Sequence, residues 1–102
     1  MITGGSGCIG SNLIKGLLKA DPEQIVVLDD LSASFEWNLP KDPRILFMRG
    51  SVLDEEKMKR AFSFKPHYVF HLAAHFANQN SVDHAETDLL VNGLGTLKTL
   101  EY

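Results

Sequence analysis

Three glycines near the start of the chain, Gly5, Gly7 and Gly10, meet the spacing GxGxxG, and Gly4, Gly7 and Gly10 meet GxxGxxG. They lie in the run Thr3-Gly4-Gly5-Ser6-Gly7-Cys8-Ile9-Gly10, between an apolar pair, Met1-Ile2, and a stretch whose apolar residues recur at helical spacing. Glycine in such a turn allows φ > 0, lets the backbone touch an anion and lets a helix approach a strand closely. The unpaired N–H groups and positive dipole end of the helix then face that anion. The chemistry these residues suit is the binding of a dinucleotide pyrophosphate. The strand–turn–helix context carries this reading, because the glycines alone are a weak signal.

A matching acid lies downstream. Ile25-Val26-Val27-Leu28 is a continuous apolar run, the pattern of a strand buried on both faces of a parallel sheet, and it ends in Asp29-Asp30. Asp29 stands nineteen residues after Gly10, close to the usual distance for a carboxylate that accepts from the adenosine ribose. A carboxylate there repels a 2′-phosphate, and no Arg or Lys occurs between Asp29 and Pro40 to reverse the preference. The reading is therefore NAD over NADP. A P-loop is excluded, since Gly10 is followed by Ser11 and not Lys.

The elements that must position these groups follow a simple alternation. Met1-Ile2 is the first strand, and residues 8–19 form a helix with Ile9, Leu13, Ile14, Leu17 and Leu18 on one stripe, ended by Ala20-Asp21-Pro22. Residues 25–29 are the second strand, and 31–44 read as a long connection with one helical turn. Ile45–Met48 is the third strand. Asp54-Glu55-Glu56 opens a helix that turns Met58, Ala61 and Phe62 inward, with its acids at the positive end. Tyr68–Leu72 is the fourth strand. A last helix, capped by Ser81, is expected to bury Leu89, Leu90, Leu94, Leu97 and Leu100. The order β-α-β-α-β-α implies an α/β fold with a parallel sheet and right-handed crossovers, in strand order 3-2-1-4.

The bulk numbers narrow the partners. With 102 residues, net charge −3 and 44% apolar content, the chain reads as a globular segment of at most one domain. No Lys/Arg stripe exists to neutralise phosphates, which argues against nucleic acid. No apolar run approaches a membrane span. Cys8 is the only cysteine, which fits a reducing, cytoplasmic setting. The short first strand and the uncapped helical pattern at Glu101-Tyr102 suggest a segment, 1–102, cut from a larger protein at both ends.

Four motifs in order, Thr3-Gly4-Gly5-x-Gly7-x-x-Gly10, Leu28-Asp29-Asp30-Leu31, His71-Leu72-Ala73-Ala74 and Asn92-Gly93-x-Gly95-Thr96, resemble the extended short-chain dehydrogenase/reductase family. Within it the chain looks most like the NAD-dependent nucleotide-sugar epimerases and dehydratases of the UDP-glucose 4-epimerase type. The resemblance implies the N-terminal βαβαβα portion of a Rossmann-type doubly wound sheet, NAD as cofactor, and a parent that binds a nucleotide sugar and forms a homodimer. It also implies roles. Gly4, Gly7, Cys8, Ile9 and Gly10 would hold the pyrophosphate. Asp29, with Asp30 beside it, would take the ribose, and Ser51-Val52 would meet the adenine. Leu72, Ala73 and Ala74 would pass beneath the nicotinamide half, with Asn92 nearby.

The departures are as informative. Ser51 stands where the family carries Asp, keeping an acceptor without the charge. Phe76 stands where galactose-epimerising members carry a lysine. The family's Tyr-x-x-x-Lys pair, which transfers the proton while the cofactor takes a hydride, is not met: Tyr68 is followed four residues later by Leu72, and Tyr102 is the last residue. The segment is expected to bind and not to turn over.

Other candidates are weaker. His71 and His75 straddle a strand end, too far apart to share a metal, so no metal site is expected. Cys8 at a helix N-terminus has the position of an activated thiol, but a small side chain filling the loop accounts for it. Phe35 and Trp37 read as a loop anchor. Two function classes remain: the NAD-binding part of a nucleotide-sugar epimerase or dehydratase, and a non-catalytic NAD(P)-binding sensor or scaffold of the same fold.

Overall fold

The structure, a computed structural model, describes residues 1–76 and 78–102. Four strands form one parallel sheet in the order β3-β2-β1-β4. They are β1 (Ile2–Thr3), β2 (Ile25–Asp29), β3 (Ile45–Arg49) and β4 (Phe70–His71). The two central strands explain the sequence pattern. β2 pairs with both neighbours and all five of its residues are buried, so it has no polar face. β1 pairs Ile2 with Val27 and Phe70, and Thr3 with Leu28 and His71.

Side-chain alternation along β2 divides the apolar interior into two layers. Ile25 and Val27 point with Ile2 towards helix α1 (Cys8–Leu18), which contributes Ile14 to that layer. Val26 and Leu28 point the other way, with Met48 and Val52, towards helix α2 (Glu55–Phe62), which contributes Met58 and Ala61. Ile14 and Met58 are wholly buried, and burying a side chain of that size stabilises by about 1.5–3 kcal/mol.

Local chemistry sets the helix ends. Asp54 caps α2, its Oδ1 accepting from the Lys57 N–H at 3.1 Å, and Lys59 and Arg60 complement the dipole at the other end. α1 ends where Asp21 turns to φ 51 ahead of Pro22. Arg44, in the connection before β3, donates from Nη1 to the Leu18 carbonyl at 3.3 Å and to Asp21 at 2.9 Å. Its guanidinium and backbone N–H also bond Asp42, which holds that carboxyl down at about 2. The connection 31–44 contains the one expected turn, a 3₁₀ segment at Glu36–Asn38.

The C-terminal quarter differs from expectation. It is not one helix capped by Ser81 but a succession: α3 (Asn78–Asp83), α4 (Ala85–Asp88), a π-helical segment (Leu89–Leu94) and α5 (Gly95–Glu101). Ser81 lies inside α3 and donates to Asp88 at 2.7 Å. The leucines are not core: Leu89 is 69% exposed and Leu100 80%. The reason is the small face at Gly95 and Thr99, four apart, which is the buried face of α5. A Cβ on Gly95 would lie 2.6 Å from Val52, so that face approaches the sheet and the leucines turn away.

Candidate functional site

The carboxyl ends of β1, β2 and β4 open into one groove, at the point where the chain connects β1 and β4 to opposite sides. In open α/β sheets this switch point is where ligands bind. Gly4 and Gly7 line the groove from the turn, Asp29 and Asp30 from the end of β2, Ser51 and Val52 from beyond β3, and Leu72–Ala74 from beyond β4.

The glycine turn is shaped by contacts rather than by freedom at every position. Gly4 has φ 66, and a Cβ there would lie 2.7 Å from the Ala73 nitrogen. Gly10 is the closest approach of α1, since a Cβ would meet Gly5 Cα at 2.6 Å and the Gly4 oxygen at 2.7 Å. Gly7 differs from expectation. Its φ is −70 and ψ 175, open to any residue, and a Cβ would meet only the Gly4 oxygen, at 3.3 Å. What Gly7 keeps free is space in the groove.

Gly7 is the N-cap of α1 and supplies no side-chain cap, and no acid lies in the first turn. The first N–H groups of a helix have no carbonyl partner within it. This end therefore presents donors and a positive dipole to the groove. Cys8 and Ile9, exposed in that first turn, and Gly10, buried beneath it, do not line the groove wall by their side chains.

Asp29 is heavily engaged by the protein's own donors. It is 8% exposed, and its Oδ2 accepts from the Ser6 N–H at 2.9 Å. Its Oδ1 accepts from the Leu31 N–H and the Ser34 hydroxyl, both at 2.9 Å. A carboxylate has about four acceptor positions. Three are filled, and the fourth is on Oδ2. These bonds also hold Leu31 at φ 63, a strained value for leucine. Asp30 is exposed and turns the chain, its Oδ1 accepting from the Ser32 N–H. Asn38 ties the same loop to the turn by donating to the Ser6 carbonyl at 2.9 Å.

On the far side, Thr3 and His71 set the position of the chain leaving β4. Thr3 Oγ1 accepts from the N–H groups of Leu72 and Ala73 and lies 2.7 Å from His71 Nδ1. With its lone pairs so used, the hydroxyl donates to Nδ1, and His71 Nε2–H donates to Thr96 at 3.2 Å. This network requires the neutral ring, and burial pushes the His71 pKa down. Ser51 bonds locally, accepting from the Leu53 N–H at 3.2 Å, and Val52 is buried against α5.

Asn92 does not line the groove. It reaches it through His75, accepting from the His75 N–H at 2.8 Å and donating to the His75 carbonyl at 3.1 Å. Residues that sequence reasoning did not place on the wall include Ala33, Ser34, Gly50 and Val91. Ser34 had a signal in the sequence, a hydroxyl in the turn after Asp29. The others contribute by where the backbone passes. Among the described residues, no three of His, Cys, Asp or Glu gather as a metal site, and no helix is long and apolar enough to cross a membrane.

Comparison with known proteins agrees with this geometry. Residues 1–102 match the model of the NAD dependent epimerase/dehydratase family. The chain is 36% identical to UDP-glucose 4-epimerase of Mycolicibacterium smegmatis, over 99% of this chain and 33% of that protein. Its structure superimposes on the epimerase Mth375 of Methanothermobacter thermautotrophicus with a TM-score of 0.96 and 60% identity, covering 99% of this chain and 30% of that one. It superimposes on UDP-glucose 4-epimerase of Thermus thermophilus, solved in complex with NAD, with a TM-score of 0.90 and 40% identity, covering 98% and 32%. The chain thus spans about a third of the length of the relatives it matches. With the glycine turn, the acid after β2 and the sheet order all in place, the chain belongs to the NAD-dependent epimerase/dehydratase family.

Proposed function

We propose that the chain is the NAD-binding part of a nucleotide-sugar epimerase or dehydratase. The observation that carries this reading is the meeting, in one groove, of the uncapped N-terminus of α1 with the Asp29 carboxylate. The N–H groups of the first turn hold the pyrophosphate, and Gly7 keeps room for it. The free acceptor position on Asp29 Oδ2 takes one ribose hydroxyl. Ser51 and Val52 border the adenine, and Leu72–Ala74 pass beneath the nicotinamide half. When bound, NAD supplies the hydride acceptor for oxidation at a sugar carbon. Asp29 excludes a 2′-phosphate by charge, so NAD is preferred to NADP.

No Tyr-x-x-x-Lys pair is present within these 102 residues, so proton transfer to the sugar belongs to residues outside them. Tyr68, 77% exposed, precedes β4 and lies with the opposite, amino-terminal ends of the strands. The reading extends to a nucleotide-sugar substrate, a homodimer and a cytoplasmic location for the whole protein. The test is calorimetric titration of NAD and NADP into the full-length protein, followed by assay with UDP-, GDP-, CDP- and dTDP-sugars. NAD binding with sugar turnover is expected. NAD binding without turnover on any of them would favour a sensor or scaffold, and no dinucleotide binding would overturn the proposal.

A further inference from the structure

Asn92 sits in the π-helical segment, Leu89–Leu94, a widened turn of the kind that recurs at functional sites. Its side chain makes three bonds at once. Oδ1 accepts from the His75 N–H, while Nδ2 donates to the His75 carbonyl and, at 2.8 Å, to Asp88 Oδ1. Only one amide orientation serves all three. The flipped amide would set NH₂ against the His75 N–H and its oxygen against a carbonyl and a carboxylate. An ionised carboxylate accepts and cannot donate, so Asp88 rejects the flipped form outright.

The peptide so held belongs to the groove. His75 lines it directly after Leu72–Ala74. Thr3 anchors the start of that segment, and Asn92 clasps its end. Asp88 is itself fixed by the Ser81 hydroxyl, at 2.7 Å. Asp88 itself is neither on the groove wall nor in any of the four sequence motifs.

We propose that Asp88 is a positioning residue for the nicotinamide half of the groove: it selects the Asn92 amide orientation that clasps the His75 peptide. This rests on the dinucleotide reading above. The two halves of the ligand give the test. ADP occupies only the adenosine side, shaped by the glycine turn and Asp29, whereas NAD needs both sides.

In the full-length protein, Asp88→Ala should weaken NAD roughly ten- to hundredfold, as expected for a lost charge-assisted bond, and change ADP by less than about twofold. Alanine is the best helix former, so the helix itself should persist. Asp88→Asn retains an acceptor oxygen for Asn92 and should recover most of the affinity. Asn92→Ala, which removes the clasp directly, should show the same NAD-against-ADP split, and the double variant should add little to either. Amide exchange at His75, read by NMR, should accelerate in Asp88→Ala and not in Asp88→Asn. Equal losses of NAD and ADP, additive single effects or an unmoved NAD affinity would each overturn the inference. A wild type that binds neither ligand would overturn the dinucleotide reading instead.

Discussion

Replacing Asp29 by alanine should damage the fold and the ligand site by separable amounts. In the fold, the carboxylate accepts three hydrogen bonds, from the Ser6 and Leu31 N–H groups and the Ser34 hydroxyl. Ser6 is fully buried, so its orphaned N–H costs about 1–3 kcal/mol. Leu31 and Ser34 are half-buried and recover water in part, so their lost bonds add about 1 kcal/mol more. The total, about 2–4 kcal/mol, is a large share of a typical stability of about 5–15 kcal/mol. In the ligand site, one charge-assisted ribose bond is worth about 1.5–3 kcal/mol, a ten- to hundredfold loss of NAD affinity. Asp29→Asn keeps an acceptor oxygen for the Leu31 N–H and Ser34 hydroxyl or for the Ser6 N–H, but sets its NH₂ against the donors on the other side. It should therefore fall between alanine and wild type in stability. The assay is urea denaturation of the full-length protein beside calorimetry with NAD and NADP, all below the unfolding transition. An Asp29→Ala variant with an unchanged urea midpoint would refute the structural part. Equal wild-type affinity for NAD and NADP would remove Asp29 from cofactor choice.

Two glycines of one motif should fail differently. Gly10→Ala forces α1 to open by about 0.8 Å to reach ordinary contact with Gly5, and overpacking of this kind costs about 1–3 kcal/mol, offset by about 1 from helix propensity; a lower urea midpoint is expected, and a raised one would refute the close approach. Gly7→Val should cost only about 1 kcal/mol of stability, for a poorer N-cap on α1, while abolishing NAD binding; a folded variant that binds NAD normally would show that the turn is no phosphate cradle. Stability should also depend on His71, whose folded pKa is pushed below the ordinary 6.5 by burial. The unfolded chain then binds more protons, so this contribution is complete above pH 6.5 and is lost as pH falls from there through the lower folded value. Urea midpoints measured between pH 8 and pH 5 should fall less steeply in His71→Gln, and an identical slope would assign the effect to the other histidines.

Much of the fold was legible because its determinants are local. A short, β-branched apolar run fits a doubly covered strand, so 25–29 announced β2, and the acids at 54–56 announced the start of α2. The glycine spacing and the acid nineteen residues on pointed to residues that do line one groove, because a turn and the end of the following strand are set by nearby sequence. The leucine-rich end was misread because periodicity tells that a helix has faces, not which face meets the sheet. Gly95 and Thr99 decided that, through contact with Val52 and His71 from distant parts of the chain. The same limit hid the work of Asp29, Thr3 and Asn92. The sequence determined that an acid, a hydroxyl and an amide were present, whereas their partners, Ser6, His71 and His75, lie 17 to 68 residues away. Hydrogen bonds are short and directional, so only the packed sheet, which brings the ends of β1, β2 and β4 together, could say which groups they join.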